Sequence, residues 1–518
     1  MKTGVVALGC LTLAWLAPLV QAGDSEYLLT DPSRARHIDY LAVSGDEFAG
    51  KFDALCRHRA DQGYRVGVVR MSDVAAEFGS LRKFLRHAAT RWEKPAPRFL
   101  LLVGDVEAVP TVVKRGAMRG WRSSPDLATD FEYARPAGKG RWLHVGRLPC
   151  DSGRELTAMV EKTIAYETEL PEGGWQRRLK FVASMGGYGK EMDRLLEAIG
   201  ESVAAGAVPR TFDVEAAYGS PASPYCVYPP RFNEHVTGMF NECSLLYLFV
   251  GHGSVRRVAS IRWRRHAYPI FRAGDSDRLE AQKGPPVFVA IACHTGAYDR
   301  DDCLGEEFVK APGGPVAFIG GSRVTQPYAN ALFADAFVRS FFGKAKTVGE
   351  VLSLAKARIA AHRFSFFTAQ IDAVAARIQG KDNLPKTRAD VIRHYNLLGD
   401  PALRIRRPTC DIRVAIQEDV AEITAPDRKQ VILRLECDRL QFLHELSEIE
   451  PDDADVAEKM ADRYRKAHDK VIGRWTVRLK DGRGTVRFER PRRPGRYVLK
   501  ATAGGSVGAI ALEVTGRP

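Results

Sequence analysis

The stretch LLYLFVGHGS, residues 245–254, places six apolar residues directly before Gly251, His252 and Gly253. A short apolar run with two aromatic residues is typical of a strand that is buried on both faces, as in a parallel sheet covered by helices. His252 then follows the carboxyl end of the strand, where open α/β sheets bind their ligands. The flanking glycines allow a sharp turn and a close approach of the backbone. Because a lone histidine at a strand end more commonly satisfies a neighbouring carbonyl, a chemical role for His252 requires a partner.

Cys293 is the candidate partner, because it ends a second buried run, Val287–Ala292. One crossover connection fits between the two runs, so we expect adjacent strands whose carboxyl ends face one crevice. A thiolate is a natural nucleophile for acyl transfer, and an imidazole can take up its proton and then protonate the leaving amine. We therefore predict Cys293 as the nucleophile, His252 as the general acid and base, and the N–H groups of Gly253 and Cys293 as an oxyanion hole.

The rest of the chain alternates short apolar runs with amphipathic helical patterns up to Pro408 and then changes to alternating strands with Asp-Gly and Gly-Gly turns. The first pattern predicts a mostly parallel α/β sheet flanked by helices, and the second a small β-sandwich. Residues 446–470 interrupt the sandwich with a charged, helix-periodic insertion, for which we expect a capped surface helix with a wet outer face. The predicted domains are a signal peptide (1–22), an N-terminal α/β subdomain (23–178), a catalytic α/β subdomain (179–408) and the sandwich (409–518).

Charge and cysteine content limit the partners of the chain. The 518 residues carry a formal net charge of +14, yet no basic nucleic-acid-binding motif is present, so we expect at most weak attraction to acidic envelope polymers.

The signal peptide predicts export to the periplasm or beyond, and no later segment is apolar enough to span a membrane. Eight of the nine cysteines follow the signal peptide without metal-like spacing, and Cys410 with Cys437 is the disulfide that would stay within one domain.

Seven segments of the chain resemble, in order, the gingipain family of cysteine peptidases, in the clan that also contains caspases and legumain. They are LLLVGDVEAVP (100–110), TDFEYA (129–134), VGRLPCDSGRELTAMVEKTIAYE (145–167), FVGHGS (249–254), VAIACHTGAY (289–298), CLGEEFVKAPGGPVAFIGGSR (303–323) and NLLGDPALRI (396–405). The resemblance implies a caspase-like sheet in two subdomains, an immunoglobulin-like sandwich, a secreted bacterial thiol peptidase, and protein or peptide substrates. It also implies His252 and Cys293 as the dyad and Gly253 in the oxyanion hole.

The resemblance extends less firmly to the substrate pocket. The gingipain glutamate that orients the histidine has no counterpart here, because its place falls at Met185-Gly186-Gly187. Glu191 and Asp193 are candidates for the carboxylate that selects a basic P1 side chain, and they equally suit the start of a helix. Tyr328 matches the aromatic residue that covers the P1 pocket, whereas Arg323 would favour an acidic P1 residue. His294 is expected to be a loop residue beside the nucleophile.

An acidic cluster follows the nucleophile, and two interpretations of it stay open. Gingipains bind calcium, so a structural calcium ion is one interpretation, although no cofactor is required for the chemistry. The other is that Asp301 or Asp302 caps a helix that begins at Leu304. The cluster consists of Asp299, Asp301, Asp302, Glu306 and Glu307.

Two alternatives to a hydrolytic enzyme also remain. One is a catalytically weak binding or scaffold protein that keeps the peptidase fold. The other is a transpeptidase, in which an amine instead of water resolves the same acyl-enzyme. The sequence contains neither the GxSxG motif of serine hydrolases nor the HExxH motif of zinc peptidases.

Overall fold

The computed structural model describes residues 25–34, 37–117, 126–136, 138, 142–184, 206–361 and 366–515. The predicted signal peptide and the segment in which Glu191 or Asp193 would begin a helix lie outside these residues. Within the described residues, every helix is too short or too polar to cross a lipid bilayer.

The described chain contains eleven helices and twenty-three strands. The helices are α1 (Asp53–Asp61), α2 (Met71–Phe78), α3 (Leu81–Arg91), α4 (Gly153–Thr168), α5 (Phe232–Asn241), α6 (Leu304–Lys310), α7 (Pro327–Phe341), α8 (Val348–Ala360), α9 (Phe366–Gln379), α10 (Leu384–His394) and α11 (Val456–His468). The strands are β1 (Tyr40–Ser44), β2 (Val66–Arg70), β3 (Phe99–Val103), β4 (Val112–Arg115), β5 (Asp126–Thr129), β6 (His144–Leu148), β7 (Arg178–Ser184), β8 (Asp213–Gly219), β9 (Leu246–Val250), β10 (Gly253–Ser254), β11 (Arg257–Val258), β12 (Ser260–Trp263), β13 (His266–Pro269), β14 (Val287–Ile291), β15 (Ala317–Gly321), β16 (Tyr395–Leu398), β17 (Arg413–Gln417), β18 (Val420–Thr424), β19 (Gln430–Cys437), β20 (Val471–Arg478), β21 (Arg483–Arg487), β22 (Gly495–Ala503) and β23 (Ser506–Val514).

One ten-stranded sheet forms the α/β part, in the order β2-β1-β3-β6-β16-β15-β14-β9-β7-β8. All neighbours are parallel except β15 and β16. β1, β3, β14 and β15 are buried along their whole length, because helices cover both faces of the sheet. This burial explains why the sequence shows uninterrupted apolar runs there, and it confirms the predicted fold class.

The two halves of this sheet meet between β6 and β16, where Leu398 pairs with Arg147. Arg147 is fully buried and donates to both carboxylate oxygens of Asp130 at 2.9 and 3.1 Å. A second buried pair joins α1 to the turn after β16, since Arg59 Nε donates to Asp400 Oδ2 at 2.8 Å. Buried ion pairs of this kind are costly to break, so they fix how the two halves join.

A seven-stranded antiparallel sandwich follows, with sheets β17-β18-β21 and β20-β19-β22-β23. Its inner residues alternate with exposed ones along β19, as in a sheet buried on one face. This sandwich agrees with the predicted C-terminal architecture.

Helix α11 has the predicted wet outer face, where Glu458, Lys459 and Arg465 are exposed, but it lacks the predicted cap and its other face is docked. Its Met460 is buried, and Arg463 Nη2 donates to the carbonyl oxygens of Pro221 and Ser223 at 2.8 and 3.1 Å. The Ala216 N–H on edge strand β8 donates to His468 Nε2 at 3.1 Å. Asp455 stands at the N-cap position, but its side chain makes no capping hydrogen bond. The insertion therefore docks the sandwich onto the open edge of the large sheet, which would otherwise expose unpaired backbone groups.

Candidate active site

The site forms where β9 and β14 end side by side. The two strands are parallel neighbours, and Val250 pairs with Ile291, so His252 and Cys293 each lie two residues beyond the same level of the ladder. The Gly251 N–H donates to the Ile291 carbonyl at 3.2 Å, and beyond this bond both chains leave the sheet. The predicted adjacency of the two strand ends is thus confirmed.

Two glycines allow these strand ends to approach each other. A Cβ on Gly253 would lie 2.5 Å from the Cys293 carbonyl oxygen and 2.9 Å from the Ala292 Cβ. Gly251 has a φ of +158°, and a Cβ there would overlap Ser184 Oγ at the end of β7. The glycines that bracket His252 are therefore required for close packing of three neighbouring strand ends.

His252 is held by its backbone and presents its side chain to solvent. Its N–H donates to Ser184 Oγ at 3.3 Å, and its carbonyl accepts from the Ala259 N–H at 3.0 Å. The latter bond makes Gly253 and Val258 the non-hydrogen-bonded pair of the β10–β11 hairpin. The Gly253 N–H consequently points away from the hairpin partner, as a donor to a bound oxyanion must.

The sulfur of Cys293 is partly exposed and contacts Thr325. The Thr325 N–H donates to Sγ at 3.3 Å, and Sγ lies 3.4 Å from the Thr325 carbonyl oxygen and 3.6 Å from its Oγ1. Thr325 follows β15, the neighbour of β14 on the side opposite β9. Sequence reasoning missed this residue, although the order β15-β14-β9 would have pointed to the segment after β15.

Arg256, at the tip of the β10–β11 hairpin, ties the histidine loop to the helix after the nucleophile. Its Nη1 donates to the Asp302 carbonyl at 2.8 Å, and its Nη2 to Glu307 Oε1 at 2.9 Å. The Leu304 N–H at the start of α6 donates to the Val255 carbonyl at 2.7 Å. The loops that carry His252 and Cys293 are thus braced against each other.

A model of peptidase family C25 matches residues 33–406 of this chain, which are most of its length. The chain belongs to peptidase family C25. Gingipain R2 of Porphyromonas gingivalis is 21% identical over 305 residues, which cover 56% of this chain and 38% of that protein. Gingipain R1 of the same organism is also 21% identical over 305 residues, which cover 56% of this chain and 28% of that protein. The chain thus spans well under half of the curated relatives it matches.

Solved structures show the same fold across nearly the whole C25 chain. The crystal structure of the Arg-specific cysteine proteinase gingipain R (RGPB) covers 93% of this chain and all of its own, with a TM-score of 0.53 at 16% identity. The solved structure of another protease covers 92% of this chain and 97% of its own, with a TM-score of 0.54 at 15% identity. The gingipain-like fold, including the sandwich, is therefore confirmed.

Two predicted pocket residues, Arg323 and Tyr328, are engaged in local contacts. Arg323 is buried in a bidentate pair with Asp299 at 2.7 and 2.5 Å, and its Nε donates to the Asp126 carbonyl at 2.9 Å. Tyr328 lies in a small core between helices, and its hydroxyl donates to Asp372 Oδ1 at 2.6 Å. Neither side chain presents a polar group to an open pocket, because local partners already use these groups.

Three further predicted residues are Glu191, Asp193 and His294. Glu191, Asp193 and the Met185–Gly187 segment lie outside the described residues. His294 adopts a left-handed backbone with φ +58°, and its Nδ1 is buried without a hydrogen-bond partner among the described residues. Burial, followed by nearby arginines, lowers the pKa of His294, so its ring is neutral near pH 7.

The acidic cluster after the nucleophile is largely engaged in local contacts. Asp302 Oδ1 pairs with Lys310 at 2.8 Å, Asp299 with Arg323, and Glu307 with Arg256. The predicted cap by Asp301 or Asp302 is wrong, because Cys303 is the N-cap residue of α6 and Glu306 Oε2 accepts from its N–H at 2.9 Å. No group of three metal-ligating side chains was found in the described part of the chain, and the calcium ion remains an untested expectation.

Glu306 is also an unexpected buried carboxyl. It is only 1% exposed, and its Oε1 has no hydrogen-bond partner in the described part of the chain. Burial raises the pKa of Glu306 to about 7, and the nearby Asp105 adds to the rise. The pKa of Asp105 is itself raised to about 6, mainly by burial.

The predicted disulfide between Cys410 and Cys437 is wrong, since all eight described cysteines are free. Thr409 bridges to Ser506, where the β22–β23 hairpin turns, whereas Cys437 pairs with Tyr497 near the other end of β22. At the rise of a β-strand, the two positions are roughly 20 Å apart along the sandwich. Location in the same domain is therefore not enough to predict a disulfide between two cysteines.

Proposed function

We propose that this chain is an exported cysteine endopeptidase in which Cys293 is the nucleophile and His252 is the general acid and base. One observation carries the proposal: the register of β9 and β14, which brings the backbone at Gly253 against the backbone of Cys293. Membership of family C25 supports the same chemistry.

The proposed reaction is acyl transfer through a thioester. His252 accepts the Cys293 thiol proton while the sulfur attacks the scissile carbonyl carbon. The resulting oxyanion accepts hydrogen bonds from the N–H groups of Gly253 and Cys293, each worth about 3 kcal/mol in comparable sites. The C–N bond then breaks, and His252 protonates the leaving amine. Water, activated by the same imidazole, hydrolyses the thioester and restores the thiol.

Substrate preference is a separate part of the proposal. Arg323 and Tyr328 are engaged in local contacts, so we propose that a P1 side chain is recognised by other groups, for which Glu191 and Asp193 stay candidates. A carboxylate there would select Lys or Arg at P1. A diverse peptide library reports this preference directly.

The test uses the reduced, full-length protein, a diverse peptide library and a peptidyl acyloxymethyl ketone whose adduct is located by mass spectrometry. Cys293→Ala is the inactivating variant, and Cys410→Ala is its matched control, because Cys410 is an exposed free thiol outside the site. We expect cleavage and a single adduct on Cys293 in the wild type and in Cys410→Ala, and neither in Cys293→Ala.

Two results would replace the proposal. If the wild type neither cleaves the library nor takes the label, the chain is a binding or scaffold protein on a peptidase fold. If an added amine acceptor diverts most of the product from hydrolysis, the chain is a transpeptidase that uses the same thioester.

A further inference from the structure

The environment of the Cys293 sulfur is asymmetric. β9 brings His252 to one side of β14, and the segment after β15 brings Thr325 to the other side. Thr325 contacts the sulfur with three of its own atoms, the amide nitrogen, the carbonyl oxygen and Oγ1, at 3.3, 3.4 and 3.6 Å. Thr325 is 97% buried, so these contacts are shielded from water.

The three contacts favour different protonation states of the sulfur. The carbonyl oxygen accepts from an S–H group and thus interacts with the neutral thiol. The amide N–H and the hydroxyl are donors, and donors stabilise a thiolate. A residue that offers both kinds of partner holds the sulfur in one place before and after it loses its proton.

We propose that Thr325 is a positioning residue for Cys293, which holds the thiol through its carbonyl oxygen and stabilises the thiolate through its N–H and its hydroxyl. This inference rests on the proposed function. When the S–H bond breaks, the proton goes to His252, and the Thr325 hydroxyl and N–H donate to the sulfur. No oxidant or reductant is involved.

The test measures how fast iodoacetamide alkylates individual cysteines of the full-length protein between pH 5 and 10, by quantitative mass spectrometry. Cys293 reports the site, and its midpoint gives the thiol titration. Exposed Cys410 is the reference thiol, and fully buried Cys303 must stay unmodified wherever the protein is folded.

Two conservative variants separate the effect of the hydroxyl from that of side-chain packing. Thr325→Val keeps the shape and the N–H but removes the hydroxyl donor, so we expect the Cys293 midpoint to rise by about one pH unit, which is roughly a tenfold loss of thiolate at neutral pH. Thr325→Ser keeps the donor, and its midpoint should stay near that of the wild type.

The proposal is overturned if Thr325→Val leaves the Cys293 midpoint unchanged, or if Thr325→Ser raises it as much as Thr325→Val does. Should Thr325→Val fail to fold, modification of Cys303 will reveal it, and Thr325→Ala, which also lacks the hydroxyl, is measured in its place; an unchanged midpoint in that variant overturns the proposal. Alkylation does not require peptide cleavage. The alkylation assay can therefore refute this inference independently of the cleavage assay, which tests the proposed peptidase function.

Discussion

Gly253→Ala perturbs the contact on which the proposed site depends. The new Cβ would lie 2.5 Å from the Cys293 carbonyl oxygen and 2.9 Å from both Ala292 Cβ and Thr295 Cγ2. Ordinary van der Waals contact begins at 3.4 Å, so the histidine loop and the nucleophile loop must separate by about 1 Å. Both loops are braced by Arg256, which leaves the backbone little freedom to absorb the change.

The expected loss follows from that displacement. A shift of about 1 Å between reacting groups costs on the order of 100-fold in catalysis. Overpacking costs about 1–3 kcal/mol of stability, which is less than the 5–15 kcal/mol typical of a folded protein. Gly253→Ala should therefore remain folded while its kcat/KM falls by about 100-fold or more.

The assay compares kcat/KM on the best library peptide with the free energy of unfolding in urea. Gly238→Ala is the matched control, because Gly238 lies in α5 and a Cβ there meets nothing within 4 Å. This control should keep full activity and gain up to about 1 kcal/mol, since alanine is the better helix former. If folded Gly253→Ala keeps more than half of the wild-type kcat/KM, the close approach of the two loops is not what organises the site.

Three further predictions concern stability. Because the pKa of Glu306 is raised to about 7, this residue binds more protons in the folded than in the unfolded chain, so the free energy of unfolding should fall from about pH 5 to pH 7. In urea titrations, Glu306→Gln should reduce this fall to the part that Asp105 contributes and gain about 2–3 kcal/mol at pH 8, whereas Glu307→Gln should leave the fall unchanged. Asp400→Asn leaves the buried Arg59 without one of its two carboxylates and should cost about 3–5 kcal/mol; a loss under 1 kcal/mol would contradict a structural role for this pair. Met460→Ala should cost about 2–5 kcal/mol by calorimetry, and a change within 0.5 kcal/mol, about that of a surface site, would contradict the docking of α11.

The positions of His252 and Cys293 could be predicted because they depend on rules that act along the chain. Strands buried on both faces produce uninterrupted apolar runs, and a right-handed crossover places consecutive parallel strands together. The two residues follow such runs directly, so their meeting required no knowledge of side-chain packing. Thr325 lies four residues beyond β15, in an irregular segment whose path the sequence does not define.

The incorrect predictions concern contacts between distant segments. The charges of α11 predict a wet outer face, yet one of them, Arg463, lies on the docked face and donates to carbonyl groups of another domain. Arg323 is a predicted pocket residue because it lies in the same segment as Tyr328, but it forms a buried pair with Asp299. The disulfide prediction for Cys410 used domain membership and could not include position along the sheet.

The most direct test of the proposed dyad is the rate at which the peptidyl acyloxymethyl ketone modifies Cys293 in the wild type and in His252→Ala at pH 7. His266→Ala is the control, since this histidine is exposed on the β12–β13 hairpin. If His252 takes up the thiol proton, the adduct should form on Cys293 at least about 100-fold more slowly in His252→Ala and at the wild-type rate in His266→Ala. Equal rates in the wild type and in His252→Ala, or an adduct on another cysteine, would contradict the assignment of Cys293 and His252 as partners.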